Sequence, residues 1–173
     1  MKKIVLTGPE STGKTSIATF LGNKFDVPVV KEYAVEYLQK TGGKYKYPDL
    51  VKIAHGQIEN ENEISLKGNY PVIIYDTDLI TIKIWSEVRF NKVSRKITSI
   101  ISKRHYDLYI LCSPDIDWEY ADFRENPDDR DYLFDLYENE LIKMGKKYIV
   151  LRGAGEIRYQ NAEKIFKEGL IDF

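Results

Sequence analysis

The stretch that decides the fold is KKIVLTGPESTGKTS, at residues 2–16. Its apolar run is followed by Gly8, by four further residues, and then by Gly13, Lys14 and Thr15. This order matches the P-loop spacing G-x-x-x-x-G-K-[ST] at every fixed position. Glycines let the backbone turn at positive φ and approach phosphate oxygens, while the loop N–H groups and the start of the next helix attract the anion. The sequence therefore predicts a phosphate cradle between a first strand and a first helix.

The side chains of this loop predict which ligand atoms they hold. Lys14 is expected to bridge the β- and γ-phosphates of ATP, and the Thr15 hydroxyl is expected to bind Mg²⁺. A GTPase would need a guanine-reading Asn-Lys-x-Asp on a late strand, but the string NKFD at residues 23–26 follows the first predicted helix too closely to face a base. The residues predicted to bind ATP are Gly8, Pro9, Glu10, Ser11, Thr12, Gly13, Lys14, Thr15 and Ser16.

Five short apolar runs alternate with longer amphipathic segments along the chain. The predicted strands are 2–8, 27–31, 70–76, 106–112 and 146–153, and the predicted helices are 14–24, 33–40, 48–67, 78–90, 93–104, 130–144 and 156–168. Strands that are apolar throughout and separated by helices indicate parallel pairing with both faces covered. We therefore expect one domain over residues 1–173, with an α/β three-layer P-loop NTPase fold. It would have a five-stranded parallel sheet with helices on both faces, resembling nucleoside and nucleotide kinases, and a short lid at about 113–131.

Composition limits the classes of partner. The chain has 173 residues and a formal net charge of −1, so no basic excess favours nucleic acid or an acidic membrane. Cys112 is the single cysteine, which excludes an internal disulfide framework and fits a reducing cytosol. No apolar stretch approaches the roughly 18–20 residues of a membrane span, and the start is too short for a signal peptide. We expect a cytoplasmic protein that binds a small molecule; its oligomeric state is left open.

Carboxylates at the ends of two predicted strands are candidates for the chemistry. Asp76, at the end of the third strand, is expected to face the Mg²⁺ shell. Asp78 either faces the acceptor or caps the helix that follows it. Glu32, at the end of the second strand, either takes a proton from an acceptor hydroxyl or is an ordinary first-turn helix residue. Tyr33 follows it and is a candidate substrate contact.

The polar segment after the fourth strand predicts a cationic lid. Arg124 and Arg130 are suited to neutralising a transferring phosphoryl group, because the guanidinium fork matches phosphate oxygens. The alternative is that they form salt bridges with nearby acidic residues. Trp118 offers a flat ring for an aromatic ligand, or else it anchors the lid to the body. Gln57, in the middle of a long helix, either reaches a substrate amide or lies on a solvated face, and the sequence favours the second interpretation.

Several segments together resemble a known family. GPESTGKT, KEYAVEYL, IAHGQIE, IIYDTDLITIKIW and YDLYILCSPDIDWEYADFRENPDDR are similar to the ribosylnicotinamide kinase domain of bacterial NAD-salvage proteins, a domain often labelled an AAA-type ATPase. The resemblance covers nearly the whole chain in the same order. The P-loop is generic, whereas the EYA-x-EYL, DTD and lid segments are more specific.

This resemblance implies transfer of the ATP γ-phosphoryl group to the 5′-hydroxyl of nicotinamide riboside. It implies that Glu32 and Asp78 lie near the ribose, and that Arg124 and Arg130 are lid cations. Family members hold the nicotinamide ring between aromatic side chains, which implies Trp118 as one wall and, more loosely, Tyr159 as the second. Longer family proteins often carry an adenylyltransferase domain before the kinase. This chain starts at the first kinase strand, so we expect neither that activity nor a DNA-binding module.

Two other functions remain open at this stage. The same fold could phosphorylate another nucleoside or small alcohol, or the chain could be a nucleotide-dependent ATPase or switch without a small acceptor. The second alternative lacks a D-x-x-G switch motif after the third strand and leaves the arginine-bearing lid unexplained. No residue that reads adenine or guanine can be identified.

Overall fold

The computed structural model describes residues 1–124 and 128–171. Its strands are β1 (Lys2–Thr7), β2 (Val29–Val30), β3 (Val72–Asp76), β4 (Leu108–Cys112) and β5 (Tyr148–Leu151). Its helices are α1 (Lys14–Phe25), α2 (Tyr33–Thr41), α3 (Asp49–Lys67), α4 (Leu79–Phe90), α5 (Arg95–Ile101), α6 (Arg130–Lys143) and α7 (Gly155–Ile171). Within the described ranges, no helix is both long enough and apolar enough to span a bilayer.

The five strands form one sheet in the order β2-β3-β1-β4-β5, and every pairing is parallel. The predicted α/β fold is confirmed. β1 lies at the centre, so the loop that leaves its carboxyl end emerges between the ends of β3 and β4. Ligands of open parallel sheets bind at that edge, where neighbouring connections diverge to opposite faces.

The strands are shorter than predicted: β2 to β5 each begin two residues later, and β1, β2 and β5 also end earlier. β3 begins at Val72 and not at residue 70, since Pro71 has no N–H to donate to a ladder. α5 is also shorter than the predicted 93–104: the Ser94 hydroxyl caps its start by accepting a hydrogen bond from the Lys96 N–H at 3.3 Å. Ile101 is its last residue.

Two apolar clusters lie on opposite faces of the sheet. The larger one packs α2 to α6 against one face, with Tyr75, Tyr109 and Leu50 among its fully buried members. The smaller one packs α1 and α7 against the other face around Ile17 and Phe166. Side chains of neighbouring strand residues point to opposite faces, so continuous apolar strands such as β4 supply both clusters.

α2 and α3 pack closely because α3 carries a glycine where the two helices meet. A Cβ at Gly56 would lie 2.1 Å from the nearest ring carbon of Tyr33, so the tyrosine ring occupies the space of the missing side chain. On the next residue, the Gln57 Oε1 accepts a hydrogen bond from the Tyr33 N–H at 2.8 Å. These contacts fix the first turn of α2, which directly follows Glu32.

A buried arginine ties α7 to two loops at the carboxyl edge of the sheet. Arg158 is 3% exposed, and its guanidinium donates to the carbonyls of Gly153 at 2.8 Å, Thr12 at 2.8 Å and Ser113 at 2.9 Å. One side chain therefore joins the P-loop, the start of the lid and the loop after β5. These three carbonyl oxygens offset the cost of burying the cation, while the Arg158 Nε has no hydrogen-bond partner among the described residues.

Replacing Arg158 by methionine is expected to lower the free energy of unfolding by about 3 kcal/mol, because three buried carbonyls lose a charged donor. It should also weaken ATP binding, since Thr12 is held by this contact. Arg152→Met is the matched control: that side chain is exposed and lies 4.0 Å from Asp115, so a change within about 0.5 kcal/mol is expected. Urea unfolding measures both. Equal stability of the two variants would contradict the bracing role.

Candidate functional site

The predicted P-loop lies between β1 and α1, in the expected strand–loop–helix context. Gly8 has φ +128°, and a Cβ there would lie 2.7 Å from the carbonyl oxygen of Cys112, at the end of β4. Gly13 has φ +74° and is the N-cap residue of α1. Ser11 also adopts a positive φ, of 52°, which is uncommon for a residue with a side chain. The loop is thus held in an uncommon conformation at the start of a helix, which is the arrangement that binds phosphate.

The Pro9 carbonyl is the acceptor that organises the polar side chains of the loop. It accepts hydrogen bonds from the Thr12 hydroxyl at 2.8 Å and from the Lys14 ammonium at 2.5 Å. Lys14 is therefore placed over its own loop, and binding a phosphate would exchange this neutral acceptor for a charged one. Hydrogen bonds between charged partners are roughly twice as strong as neutral ones.

Asp76 and Thr15 form a pair that fits a magnesium ion. Asp76 is 3% exposed at the end of β3, and burial raises the pKa of its carboxyl, opposed by a hydrogen bond from Thr15 and by the charge of Lys14. Its Oδ1 has no hydrogen-bond partner among residues 1–124 and 128–171. Hydroxyl and carboxylate oxygens are hard donors of the kind that Mg²⁺ prefers. The residues present thus fit the ion predicted from the sequence.

Glu32 lies in the same cavity as this pair. The cavity has a volume of about 830 Å³ and is bounded by Thr15, Glu32 and Asp76 together with the polar face of α2. Burial, and next the nearby charge of Asp76, raise the pKa of Glu32 to about 7, while Lys14 lowers it. A carboxylate with this pKa can exchange a proton near neutral pH, so the structure brings the candidate base to the predicted phosphate and metal site.

The structure gives Asp78 the capping role that the sequence had left open. Its Oδ1 accepts from the Ile80 N–H at 3.1 Å at the start of α4, and its Oδ2 accepts from the Tyr109 hydroxyl at 2.9 Å. It is 2% exposed, and burial raises its pKa to about 7. Thr77, just before it, has φ 69°. Because protein donors occupy both carboxylate oxygens, contact with an acceptor remains a prediction.

The lid converges on one P-loop residue. The Ser11 hydroxyl accepts from the Glu119 N–H at 2.8 Å and from Arg124 at 3.2 Å, and the Ser11 carbonyl accepts from Arg130 at 3.1 Å. Arg130 also donates to the Ile116 carbonyl at 2.8 Å. Both predicted lid cations therefore lie beside the phosphate loop. The alternative was salt bridges to Glu125, Asp128, Asp129 or Asp131. Among residues 1–124 and 128–171, neither arginine pairs with one of these aspartates, and Glu125 lies outside the described ranges.

The structure gives a different outcome for each of the predictions about Trp118, Tyr159 and Gln57. The Trp118 indole N–H donates to Glu10 at 3.1 Å, which is the anchoring role; stacking on a ligand stays a prediction. Tyr159 as a second wall beside Trp118 is not supported, because its ring packs edge-on against Phe20 at 5.1 Å on the α1–α7 face. Gln57 is 2% exposed, so the solvated-face interpretation was wrong.

The sequence analysis also missed Arg158 and the part that Tyr33 plays in packing. Tyr33 joins the larger apolar cluster and lies against Gly56, so its ring is a structural element beside the site. A substrate contact from Tyr33 stays a prediction. In the sequence, Arg158 is marked only by its place after a short apolar strand and two glycines. Two of its three carbonyl partners, Thr12 and Ser113, come from loops distant in sequence and could not be paired by pattern.

Lid residue Phe123 reaches across the site to the loop between α2 and α3. Its ring lies so close to Gly43 that a Cβ there would be 3.1 Å from two ring carbons. Phe123 has φ 70° and Gly43 has φ 75°, so both residues adopt left-handed backbone. The lid is therefore held on two sides: at the P-loop through Ser11 and at the loop between α2 and α3 through Phe123.

Replacing Gly43 by alanine is expected to displace Phe123 and loosen the lid. Gly42→Ala is the matched control, because Gly42 has φ 60° but nothing lies within 4 Å of its added Cβ. In both variants, the Cβ at positive φ strains the backbone and lowers the free energy of unfolding by about 1 kcal/mol. Only Gly43→Ala should accelerate proteolytic cleavage of the lid, measured on the folded proteins. Equal cleavage rates would contradict the contact.

Comparisons with known proteins place this geometry in a family. A family model described as an AAA domain matches residues 3–158. No curated protein is similar enough in sequence to match the chain. Among solved structures, the NadR protein in complex with NR shares 21% identity over 99% of this chain, with a TM-score of 0.84. NadR in complex with NAD and AMP-PNP gives a TM-score of 0.77 at the same identity.

The chain spans about half the length of these NadR structures, 51% and 50%. Deoxyadenosine kinase from M. mycoides, with products bound, is similar over 96% of this chain and 97% of its own, at 15% identity and a TM-score of 0.67. These likenesses show a shared fold. Because the AAA domain model spans most of the residues that build the sheet and the site, the chain belongs to the AAA domain family.

Proposed function

We propose that this chain is an ATP-dependent kinase that phosphorylates the 5′-hydroxyl of nicotinamide riboside to give the mononucleotide, as a single kinase domain acting in the cytoplasm. The observation that carries the proposal is the meeting of Glu32, Asp76 and Thr15 in one cavity at the P-loop. A proton acceptor, metal-binding oxygens and a phosphate cradle are what phosphoryl transfer to a hydroxyl requires.

The charge of the cavity supports a cationic acceptor. Among the described residues that line it, four are acidic (Asp26, Glu32, Glu36 and Asp76) and one, Lys31, is basic. Of the four, Glu36 pairs with Lys40 at 2.5 Å. Nicotinamide riboside carries a positive pyridinium ring, whereas ordinary nucleosides are neutral, so a carboxylate-rich wall favours the former. The NR complex of NadR, which shares this fold, agrees with that choice.

The catalytic residues act mainly by positioning and by charge stabilisation. Lys14 would leave the Pro9 carbonyl for the β- and γ-phosphates of ATP, and Arg124 and Arg130 would turn from Ser11 to the transferring group. Glu32 would accept the proton of the attacking 5′-hydroxyl. Thr15 and Asp76 would hold Mg²⁺, which when bound neutralises phosphate charge. Asp78 would keep α4 in place beside the acceptor.

A coupled kinase assay with nicotinamide riboside and a panel of nucleosides tests the proposal. We expect kcat/KM for nicotinamide riboside to exceed that for every neutral nucleoside by at least about tenfold. Lys14→Ala should lose at least about 100-fold in phosphoryl transfer while keeping its fold by circular dichroism. Lys24→Ala, on the same helix in an exposed ion pair with Glu163, should match the parent. Full transfer by Lys14→Ala would contradict the P-loop assignment.

Glu32→Gln is expected to lower kcat by about 10² to 10⁴-fold and to leave ATP affinity nearly unchanged. In the parent, kcat/KM for the acceptor should rise with pH up to about 7, because Glu32 has a pKa of about 7 and must lose its proton to act as base. This rise of kcat/KM with pH should be absent in Glu32→Gln. Glu63→Gln, in an exposed ion pair with Lys67 outside the cavity, should keep both the rate and its rise with pH.

Stability gives a second readout for Glu32. Its pKa in the folded protein, about 7, exceeds the ordinary glutamate value of 4.5, so the folded state binds the proton more tightly and loses stability as the pH rises between those values. At about pH 8, the free energy of unfolding of Glu32→Gln, measured with urea, should therefore exceed that of the parent by up to about 3 kcal/mol. At about pH 4 the two proteins should be equally stable. Unchanged turnover would remove Glu32 from the base role whatever the urea result.

A neutral nucleoside is the second candidate acceptor. The likeness to deoxyadenosine kinase over nearly the full length of both chains favours it. The same assay separates the two candidates, because a nucleoside kinase would prefer a member of the neutral panel to nicotinamide riboside.

A further inference from the structure

We infer that Gln57 recognises the acceptor by donating a hydrogen bond from its buried amide group to a ribosyl hydroxyl oxygen. This inference rests on the proposed function, since it assigns a recognition residue to the acceptor half of the same site. Gln57 lies in the middle of α3, and it is absent from the phosphate and metal machinery described above.

The amide is buried and half satisfied. Gln57 is 2% exposed, and its Oε1 accepts from the Tyr33 N–H at 2.8 Å. A main-chain N–H can only donate, so this contact fixes which end of the amide is oxygen. Its Nε2 has no hydrogen-bond partner among the residues that the structure describes. Buried donors are rarely left unpaired in proteins, and those that are call for a functional explanation.

The amide of Gln57 lies behind the cavity wall, next to residues that line it. Tyr33 directly follows Glu32, the candidate base, and Asn60, one helical turn beyond Gln57, lines the cavity that Glu32 also lines. Gly56 lets the Tyr33 ring pack against α3, which holds the two segments in one arrangement. Gln57 is therefore fixed behind the first turn of α2, adjacent to the carboxylate.

The chemistry of the two side chains is complementary. Glu32 accepts hydrogen bonds, and the free end of Gln57 can only donate them. Together they suit an alcohol, whose oxygen accepts from one partner while its proton is given to the other. A ribosyl group offers such hydroxyls, whereas the carboxamide carbonyl of nicotinamide is the other oxygen that this donor could bind.

Gln57→Glu isolates the donor. It keeps an oxygen for the Tyr33 N–H but replaces the Nε2 donor by an acceptor. We expect the acceptor KM to rise at least tenfold, with the ATP KM changed less than twofold. Gln160→Glu is the control, because Gln160 is exposed on α7, lies outside the lining of the cavity and gains the same charge. It should leave both constants within about twofold of the parent.

Two further measurements complete the test. Gln57→Leu removes the donor without adding charge, and calorimetry measures its binding of acceptor and of ATP separately, per folded protein. A merely structural Gln57 would lower the urea midpoint of both variants and leave acceptor affinity unchanged, which would overturn the inference. Comparing nicotinamide riboside with pyridine riboside, which lacks the carboxamide, separates the two oxygens: an equal loss with both supports the ribosyl hydroxyl, and a loss confined to nicotinamide riboside overturns that assignment.

Failure of the proposed function is distinguishable from failure of this inference. If the parent phosphorylates a neutral nucleoside instead, the variants are measured with that nucleoside and the same tenfold loss is expected. If the parent uses nicotinamide riboside and Gln57→Glu does so equally well, only the role of Gln57 is wrong. If the parent neither binds nor phosphorylates any riboside, both are wrong.

Discussion

The close approach of the P-loop backbone to the end of β4 is the constraint on which the site depends. Because a Cβ at Gly8 would meet the Cys112 carbonyl at 2.7 Å, the chain can leave β1 in this direction only as glycine. The loop then turns over the sheet edge into α1, next to Ser113, where the lid begins. Arg158 binds the carbonyls of Thr12 and Ser113 together. One backbone contact thus places the phosphate loop, the lid and α7 relative to each other.

The cations around the loop divide into two groups by their partners. Lys14, Arg124 and Arg130 are partly exposed and are held by neutral oxygens of the loop or the lid, so a phosphate can replace those partners with a gain in interaction energy. Arg158 is buried and braces three main-chain carbonyls. The first group can respond to a ligand, and the second keeps the geometry in which that response occurs.

Local patterns predicted the sheet, the P-loop and the strand-end carboxylates, because each depends on residues that are neighbours in sequence. The sequence could not decide between the two interpretations of Asp78, since the Tyr109 hydroxyl that occupies its second oxygen comes from a strand 31 residues away. Tyr159 was misplaced because the pattern of α7 does not say which face of the sheet the helix covers. Gln57 was expected on a solvated face, and the packing of α2 on α3 buries it.

The residue at position 56 influences where Glu32 lies, and so how related sequences can change the site. The missing side chain of Gly56 admits the Tyr33 ring, and Tyr33 adjoins Glu32, so the position of that carboxylate is set by a residue outside the cavity wall. A larger residue at this place would shift the start of α2 while leaving the contacts of Lys14 and Arg158 with the phosphate loop intact. Under the proposed function, specificity for the acceptor can therefore change through a single helix contact while the phosphate loop stays unchanged.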